Sequence, residues 1–287
     1  MSYGRRLNLR IGDKEIKHEG GSDLRVAFDV SRAKSRDPNA ASIQIWNLAP
    51  STRASFQESG RVFCELEVGY ADEGSHNIFR GVLLDVQSMR EGPEFVTTVT
   101  LGDDGEQKTA GLRIHKMFPK LTPIASVLGD LVKATGLEGG DLATASAKAR
   151  LAASTTLQRP FLASGQALGE LHAFTRSVGL EWSLQDQKIV FAGLGPGGSG
   201  SGPLIQGQNV AESPTTDAEG SVTFVSRMIP DLVPGRPFKL DTESTQGLYV
   251  CTESRHFGDT HGADWSVEVT GDPFSVSVDR GLVVNHG

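Results

Sequence analysis

Residues 62–70 read VFCELEVGY, and this stretch predicts the fold class more directly than any other part of the chain. Apolar or aromatic side chains stand at every second position from Val62 to Tyr70, with Glu65 and Glu67 between them. A period of two is typical of a β-strand that buries one face and exposes the other. The stretch therefore predicts a half-buried strand.

The same alternation continues on both sides of this strand. Further strands are predicted at residues 24–30, 42–46, 78–89 and 95–101. A short helix at 51–58 is expected to begin at Pro50 and to end at Gly60, because proline suits a first helical turn and glycine a helix end. The turn-forming residues 90–93 join the last two strands as a hairpin. Strands joined by short turns pair antiparallel, which favours a barrel or a sandwich.

The period changes in the middle of the chain. Apolar positions between Pro123 and Gly136 follow helical spacing, and a second helix is predicted from Ser164 to Gly179. A hairpin follows at residues 181–184 and 188–191. This segment therefore predicts a small α+β insert between two strand-rich parts of the chain.

A glycine-rich segment separates the insert from the last part of the chain. Residues 193–202 read GLGPGGSGSG, a composition typical of a flexible linker. Beyond it, strands are predicted at residues 221–229, 238–241, 248–257 and 264–270. We therefore expect a mainly β fold in which two antiparallel β-barrel or sandwich domains flank a mixed α/β region. The predicted boundaries are 1–108 for the N-terminal β domain, 109–193 for the α/β insert, 194–202 for the Gly/Ser-rich linker and 203–287 for the C-terminal β domain.

The composition narrows the classes of function. Among 287 residues, 28 Lys and Arg stand against 35 Asp and Glu, which gives a formal net charge of −7. A mildly acidic protein has no general attraction for nucleic acid or for an anionic membrane. No apolar run approaches the ~18 residues of a membrane span, and no signal region precedes the first strand, which predicts a soluble protein made in the cytoplasm. Cys64 and Cys251 are expected to be small buried core side chains, with a disulfide between them as the alternative.

Two motifs are of a type that carries chemistry, and a structural interpretation is favoured for each. Residues 193–198 match GxGxxG, but the Gly, Ser and Pro residues after them cannot open the helix that a dinucleotide site needs. His256, Asp259 and His261 are of metal-ligand type. Residues 257–262, however, contain the glycines and the aspartate of a hairpin turn. A linker and a turn are therefore the preferred interpretations.

The other titratable residues give weaker signals. Asp103, Asp104 and Glu106 form a carboxylate cluster of the kind that acid–base catalysis uses, but their glycine-flanked setting favours a solvated turn. His172 lies beside the apolar stripe of the second predicted helix, where a partly buried packing role is expected. The remaining histidines are scattered: His18, His76, His115 and His286.

Arg32, Lys34 and Arg36 lie in a loop predicted after residue 30. A solvated loop is favoured there over a charged contact with a neighbouring subunit. The sequence contains no nucleophile elbow, phosphate-binding loop or zinc-protease motif. We therefore predict that the protein is not an enzyme and has no catalytic residue, no metal and no cofactor.

Several further segments are informative because of the order in which they occur. In the N-terminal part they are residues 39–48 (NAASIQIWNL), 68–70 (VGY) and 78–81 (IFRG). In the C-terminal part they are residues 228–235 (MIPDLVPG), 247–250 (GLYV), 256–260 (HFGDT) and Trp265. Together with the α/β segment at 164–191, this ordered set resembles the baseplate hub, or tail tip hub, proteins of phage tails.

The resemblance implies a homotrimeric ring at the distal end of a phage tail tube. Each subunit would contribute two tube-like β-barrel domains, so that a pseudo-hexameric ring would join a sixfold tail tube to a threefold central spike. An acidic channel would let DNA pass during ejection without binding it. The implied partners are the tail tube or distal tail proteins, the central spike and other baseplate proteins. The implied location is the virion tail, after assembly in the host cytoplasm.

Two other classes of function stay open at this point. A receptor- or carbohydrate-binding tail module would need exposed aromatic side chains, and aromatic residues make up only 7% of the chain. A cell-wall hydrolase would have to draw its acid–base pair or its metal from the carboxylate cluster at 103–106 or from the cluster at 256–261.

Overall fold

The computed structural model describes residues 4–19, 24–33, 39–102, 109, 111–139, 156–180, 182–185, 188–191 and 202–274. The N-terminal part contains β1 (Arg5–Ile11), β2 (Lys14–His18), β3 (Val26–Ala33), β4 (Ala40–Trp46), α1 (Pro50–Glu58), β5 (Phe63–Tyr70), β6 (Gly74–Glu91) and β7 (Glu94–Gly102). The middle part contains β8 (Arg113–Phe118), α2 (Ile124–Thr135), β9 (Glu138–Gly139), β10 (Phe161–Gln166), α3 (Ala167–Ser177), β11 (Trp182–Gln185) and β12 (Lys188–Phe191). The C-terminal part contains β13 (Leu204–Gln206), a 3-10 turn (Gly207–Asn209), β14 (Thr215–Thr216), β15 (Val222–Arg227), β16 (Pro237–Asp241), β17 (Gln246–Asp259) and β18 (Trp265–Pro273).

One thirteen-stranded sheet contains strands from both ends of the chain. Its neighbours run in the order β14–β15–β18–β17–β3–β4–β7–β6–β5–β1–β2, while β16 pairs with β17 and β13 pairs with β16. The predicted mainly β fold with a small α+β insert is confirmed. The alternation of single strands did not predict that the two strand-rich parts share one sheet.

The N-terminal and C-terminal parts repeat one arrangement of four neighbouring strands. We call β3–β4–β7–β6 the N set and β14–β15–β18–β17 the C set. The last strand of each set is long and has a β-bulge, between Leu83 and Asp85 in β6 and between Cys251 and Glu253 in β17. Ahead of its bulge, each long strand also pairs with a strand outside the set, β5 or β16. The two sets therefore share the order of their strands along the chain, the pairing of those strands and the position of the bulge.

The two sets meet where β3 pairs antiparallel with β17, and we call this junction the seam. Its register places Ala33 opposite Glu253. On the core side, the rings of Phe28 and Trp265 meet edge to face, with their centroids 5.3 Å apart. Trp265 and Met228, from the C-terminal part, lie in the same core cluster as the N-terminal strands. Backbone hydrogen bonds and shared apolar packing thus join the two parts.

Among the described residues, buried apolar side chains form three clusters, which lie mainly within the N-terminal part, the insert and the C-terminal part. In the insert, α2 and α3 pack on each other, and β8 pairs with β10. No helix among the described residues is both long and apolar enough to cross a bilayer. The domain boundaries at 108, 193 and 202 stay a prediction.

The two helices and the hairpin predicted for the insert are present, whereas β8 and β9 were not predicted and the second helix begins later than expected. The first helix ends at Gly136, whose φ of +70° suits glycine, and the hairpin β11–β12 is present. The expectation that the second helix begins at Ser164 is wrong, because α3 begins at Ala167. Residues 161–166 form β10 instead, since β8 supplies a pairing partner that helical periodicity could not reveal.

Packing at the seam generates a first prediction. Gly258 lies in β17 where a Cβ atom would come within 2.7 Å of Trp265 and 2.9 Å of Phe28. Gly258→Ala should therefore displace these rings and lower the free energy of unfolding by about 1–3 kcal/mol, the usual cost of overpacking. Urea denaturation measures the loss. Gly60→Ala is the control, because its Cβ would meet nothing within 4 Å; an equal loss in both variants would contradict the packing argument.

Candidate functional surface

Several residues singled out in the sequence lie outside the described part of the chain. They are the GxGxxG segment at 193–198, Asp103, Asp104, Glu106, Lys34, Arg36 and His286. Across the described ranges, no group of three His, Cys, Asp or Glu side chains is placed to hold a metal ion. The predictions of no catalytic residue, no metal and no cofactor stay predictions.

His256 is separated from its two sequence neighbours in the candidate metal cluster by burial. Its side chain is 0% exposed, on the core side of β17, between Val30 of β3 and Val267 of β18. Burial, assisted by the positive charge of Arg32, lowers the pKa of His256 to about 3. The imidazole is therefore neutral at physiological pH.

Asp259 ends β17, and His261 lies in the turn that joins β17 to β18, so the predicted turn at 257–262 begins only after Asp259. Arg25 donates to the Asp259 carboxylate through Nη2 at 2.6 Å and Nε at 3.1 Å, and the His261 N–H donates to it at 2.9 Å. Arg5 donates to main-chain carbonyls of this turn, at 2.6 Å for Gly262. Although partial burial acts to raise the pKa of Asp259, these hydrogen bonds hold it below its ordinary value. The carboxylate anchors the turn to the N-terminal part.

The expectation of a solvated loop at Arg32 is wrong. Arg32 is 4% exposed and lies opposite Ser254, because pairing with β17 extends β3 as far as Ala33. Strand alternation then turns its side chain to the core side. A pattern in one strand cannot reveal this extension, since the partner strand lies more than 200 residues away in the sequence.

The cysteines and the remaining histidines have structural surroundings. Cys64 and Cys251 are buried and free, as predicted, and burial raises the pKa of both thiols, that of Cys64 to about 12. His172 is half-buried, with its ring 6.4 Å from that of Trp182. His18 is buried, His76 is exposed, and His115 Nδ1 lies 2.9 Å from Ser164 Oγ.

A second face of the large sheet, opposite the cores, is polar across the N set, the seam and the C set. Alternation along each strand turns every second side chain toward this polar face. Exposed or half-buried side chains on it include Thr223, Val225, Arg227, Thr270, Glu268, Ser266, Glu253, Arg255, Phe257, Ser31, Asp29, Ser42, Gln44, Thr100, Thr98, Asp85, Gln87 and Met89. Hydroxyl, amide and carboxylate groups therefore dominate a surface that continues through both sets.

The polar face is acidic. Asp29, Asp85, Glu253 and Glu268 stand on it against Arg255 and Arg227, and Arg227 is also paired with Glu73 at 2.7 Å. Arg255 bridges the seam, where its Nη2 donates to Asp29 Oδ2 at 2.5 Å and its Nε donates to the same carboxylate at 3.0 Å. This hydrogen bonding raises the pKa of the Arg255 guanidinium, whose charge is neutralised by Asp29. The other carboxylates give the face a negative potential.

Two shallow grooves lie along the seam on the polar face. Their volumes are about 480 and 600 Å³, and Ser31, Ala40 and Arg255 line both of them. The grooves exist because serine, alanine and threonine leave space above the sheet. Neither groove holds the cluster of aromatic side chains that a sugar-binding site uses.

Comparisons with known proteins give the class of the fold. No protein-family model matches this sequence, and no curated protein matches it in sequence. A tail protein from Neisseria meningitidis is similar in structure with a TM-score of 0.62 at 10% identity, over 94% of this chain and 96% of that chain. A tail protein of prophage MuSo2 from Shewanella oneidensis gives 0.60 at 10% identity, over 94% and 98%. A type VI secretion component from Escherichia coli, described as structurally similar to bacteriophage tail proteins, gives 0.53 at 11%, over 93% and 77%.

The chain therefore has the fold of phage tail proteins. At identities near 10% the likeness establishes the fold, and the resemblance inferred from the ordered sequence segments is confirmed at that level. Sequence reasoning missed the residues that build the seam, such as Arg255 and Asp29. Their only local signal is a polar residue at the outward position of a strand, and many exposed strands share that signal.

The burial of His256 generates a second prediction. Since its folded pKa of about 3 lies below the unfolded value of 6.5, the unfolded chain alone takes up this proton between those pH values. The free energy of unfolding should therefore fall as the pH falls below 6.5, by about 1.4 kcal/mol per pH unit for this group. His256→Leu should remove this contribution.

Chemical denaturation at pH 7, 6 and 5 measures the effect as the difference between the wild type and each variant. His76→Leu is the control, because His76 is exposed. A wild type and a His256→Leu variant with parallel pH profiles would show that His256 accepts a proton in the folded protein.

Proposed function

We propose that the protein is a structural hub of a phage tail, assembled as a homotrimeric, pseudo-hexameric ring between a sixfold tail tube and a threefold central spike. The fold shared with tail proteins supports the general role in tail structure. The repeat of the N set and the C set in one sheet is the single observation that carries the ring. Three copies, each with two equivalent sets, have the symmetry to contact a sixfold partner on one side and a threefold partner on the other.

The polar face supports the proposal that the ring encloses a channel for DNA. A surface dominated by hydroxyl, amide and carboxylate groups, on which Arg255 is paired with Asp29, presents no excess of basic side chains to bind phosphates. Asp85 and Glu253 occupy equivalent positions after the two bulges, opposite Thr100 and Thr270. In a trimer these two residues would form a ring of carboxylates around the channel, which would repel DNA and let it slide.

The proposed partners follow from the same ring. Tail tube or distal tail proteins would contact one rim, and the central spike with other baseplate proteins the other. The domain division at 108, 193 and 202 would place the α/β insert outside the two tube-like domains. In this proposal the protein has no enzymatic activity and acts in the virion tail, after assembly in the host cytoplasm.

The ring generates a third prediction. The full-length protein at micromolar concentration is expected to have the mass of a trimer, because exposed strand edges are covered by neighbouring copies. Mass photometry or sedimentation measures the mass, and negative-stain images should show threefold rings with a central opening. A monomer at all concentrations, and no ring in assembled tails, would overturn the proposed function.

The channel generates a fourth prediction. Asp85→Lys combined with Glu253→Lys should convert the carboxylate ring into a basic one. Rings of this variant are expected to retain double-stranded DNA about tenfold or more tightly than the wild type at low salt, with the difference lost as salt rises. Filter binding over a salt series measures the effect.

The matched control carries the same change in charge elsewhere. Asp13→Lys combined with Glu58→Lys alters two exposed residues, one in the β1–β2 turn and one in α1. Equal DNA retention by both double variants would show that net charge matters and that the polar face does not line a channel.

A further inference from the structure

Strand β6 has an edge that no other strand covers in the part of the chain that the structure describes. Before its bulge, β6 pairs with β5, and that pairing ends at Val82. Beyond the bulge, β6 pairs with β7 on one side only, from Asp85 to Glu91. The opposite edge of residues 85–91 leaves backbone N–H and C=O groups available for a further strand. Leu84, in the bulge, and Met89, within the segment, are exposed, at 49% and 58%.

The equivalent edge of the C set is covered. In β17, residues 253–259 follow the bulge as residues 85–91 do in β6. There the outer edge pairs with β3, which is the first strand of the N set. The last strand of one set is thus joined to the first strand of the other set within one chain.

The C set also begins with an open edge. Its first strand consists of β14, where Thr215 lies opposite Thr223, and of a bridge between Val210 and Ser226. On the other side of this 210–216 segment, no described strand pairs with it. The segment holds the position in the C set that β3 holds in the N set, since both lie beside the second strand of their set.

We propose that the open edge of β6 pairs antiparallel with the next copy of this chain, with residues 87–91 opposite residues 213–217. Between copies, this contact repeats the strand pairing that forms the seam within one chain. The inference rests on the proposed ring. It is head-to-tail, because the last strand of one N set meets the first strand of a neighbouring C set. Contacts of this kind form a ring when the rotation between copies closes, as the proposed threefold ring requires. The polar face would then continue without interruption from copy to copy.

The repeat also gives the register of this contact. Within the chain, Phe257 lies opposite Asp29 across the seam. Met89 and Phe257 lie the same number of residues after the bulges of β6 and β17. Thr215 and Asp29 hold the same position beside the second strand of their sets. Met89 therefore lies opposite Thr215 of the next copy.

The contact between copies differs from the seam in its chemistry. In the seam, Arg255 and Asp29 form an ion pair. Their counterparts by position are Gln87 and Thr215, which are neutral. The copies would therefore be held by backbone hydrogen bonds and by burial of Met89 rather than by charge, and salt should not separate them.

Cysteine cross-linking tests the register. In Met89→Cys combined with Thr215→Cys, oxidation is expected to join copies into covalent dimers and trimers on a non-reducing gel, because opposed residues of neighbouring strands meet the distance requirement of a disulfide. The native cysteines are buried and do not interfere. The matched control is Phe257→Cys combined with Asp29→Cys, which should cross-link within one chain and leave its mass unchanged.

The outcomes separate this contact from the ring itself. Covalent multimers from the double variant, and none from either single variant, would support the contact. Threefold rings that give no cross-link between copies, while the control pair does cross-link, would overturn the contact and leave the proposed function standing. A protein that stays monomeric, with no cross-link between copies, would overturn both.

Hydrogen exchange of the unaltered protein gives an independent readout. Assembly should slow the exchange of those amides in residues 87–91 that point away from β7, about tenfold or more, because they gain hydrogen-bond partners. Amides of the seam should be equally protected before and after assembly. Rings in which these amides of residues 87–91 exchange as fast as in the monomer would contradict the pairing.

Discussion

Backbone pairing between β3 and β17 is the interaction on which the rest of the structure depends. Without it the N set and the C set would be two small sheets with open edges, a state that proteins avoid because open edges associate indiscriminately. With it, strands from both ends of the chain form one sheet. The side-chain contacts at the seam follow from this pairing: Phe28 against Trp265 on the core side and Arg255 with Asp29 on the polar face.

The two bulged strands determine how one sheet can bury a core and still present a continuous polar face. A bulge adds a residue to one strand and bends it, so that a long strand can leave one neighbour and continue beside another. In β6 and β17 the bulge falls just where pairing with β5 or β16 ends. Because β6 and β17 change neighbours at equivalent bulges, the two sets repeat the same strand geometry. Repeated units of this kind suit assembly into a ring.

The polar residues near the seam show how position decides chemistry. His256, Asp259 and His261 are close in sequence, yet one imidazole is buried in a core while the other two side chains lie at a turn held by Arg25. Burial keeps His256 neutral, and ion pairing keeps Asp259 charged. The residues that suggested a metal site therefore stabilise the junction of the two parts instead.

The sequence by itself determined the local structure of this protein. Period-two alternation located β3 to β7 and β15 to β18 but not β1, β2, β13 or β14. Helical spacing and Gly136 located α2, and hairpin turns followed from glycine and aspartate. These signals are local, because they depend on which side chains a single strand or helix buries. The ordered segments also led to the class of fold.

Only the tertiary structure decided which strands pair across the chain, and with them the polar face and its acidic character. Arg255 and Asp29 are 226 residues apart in the sequence and meet because β3 and β17 are neighbours. Arg32 is buried and Ser164 lies in a strand for the same kind of reason, since a distant partner strand extended or replaced the local structure. Alternation along a strand fixes which side chains share a face, but it carries no information about the strand that will lie beside it.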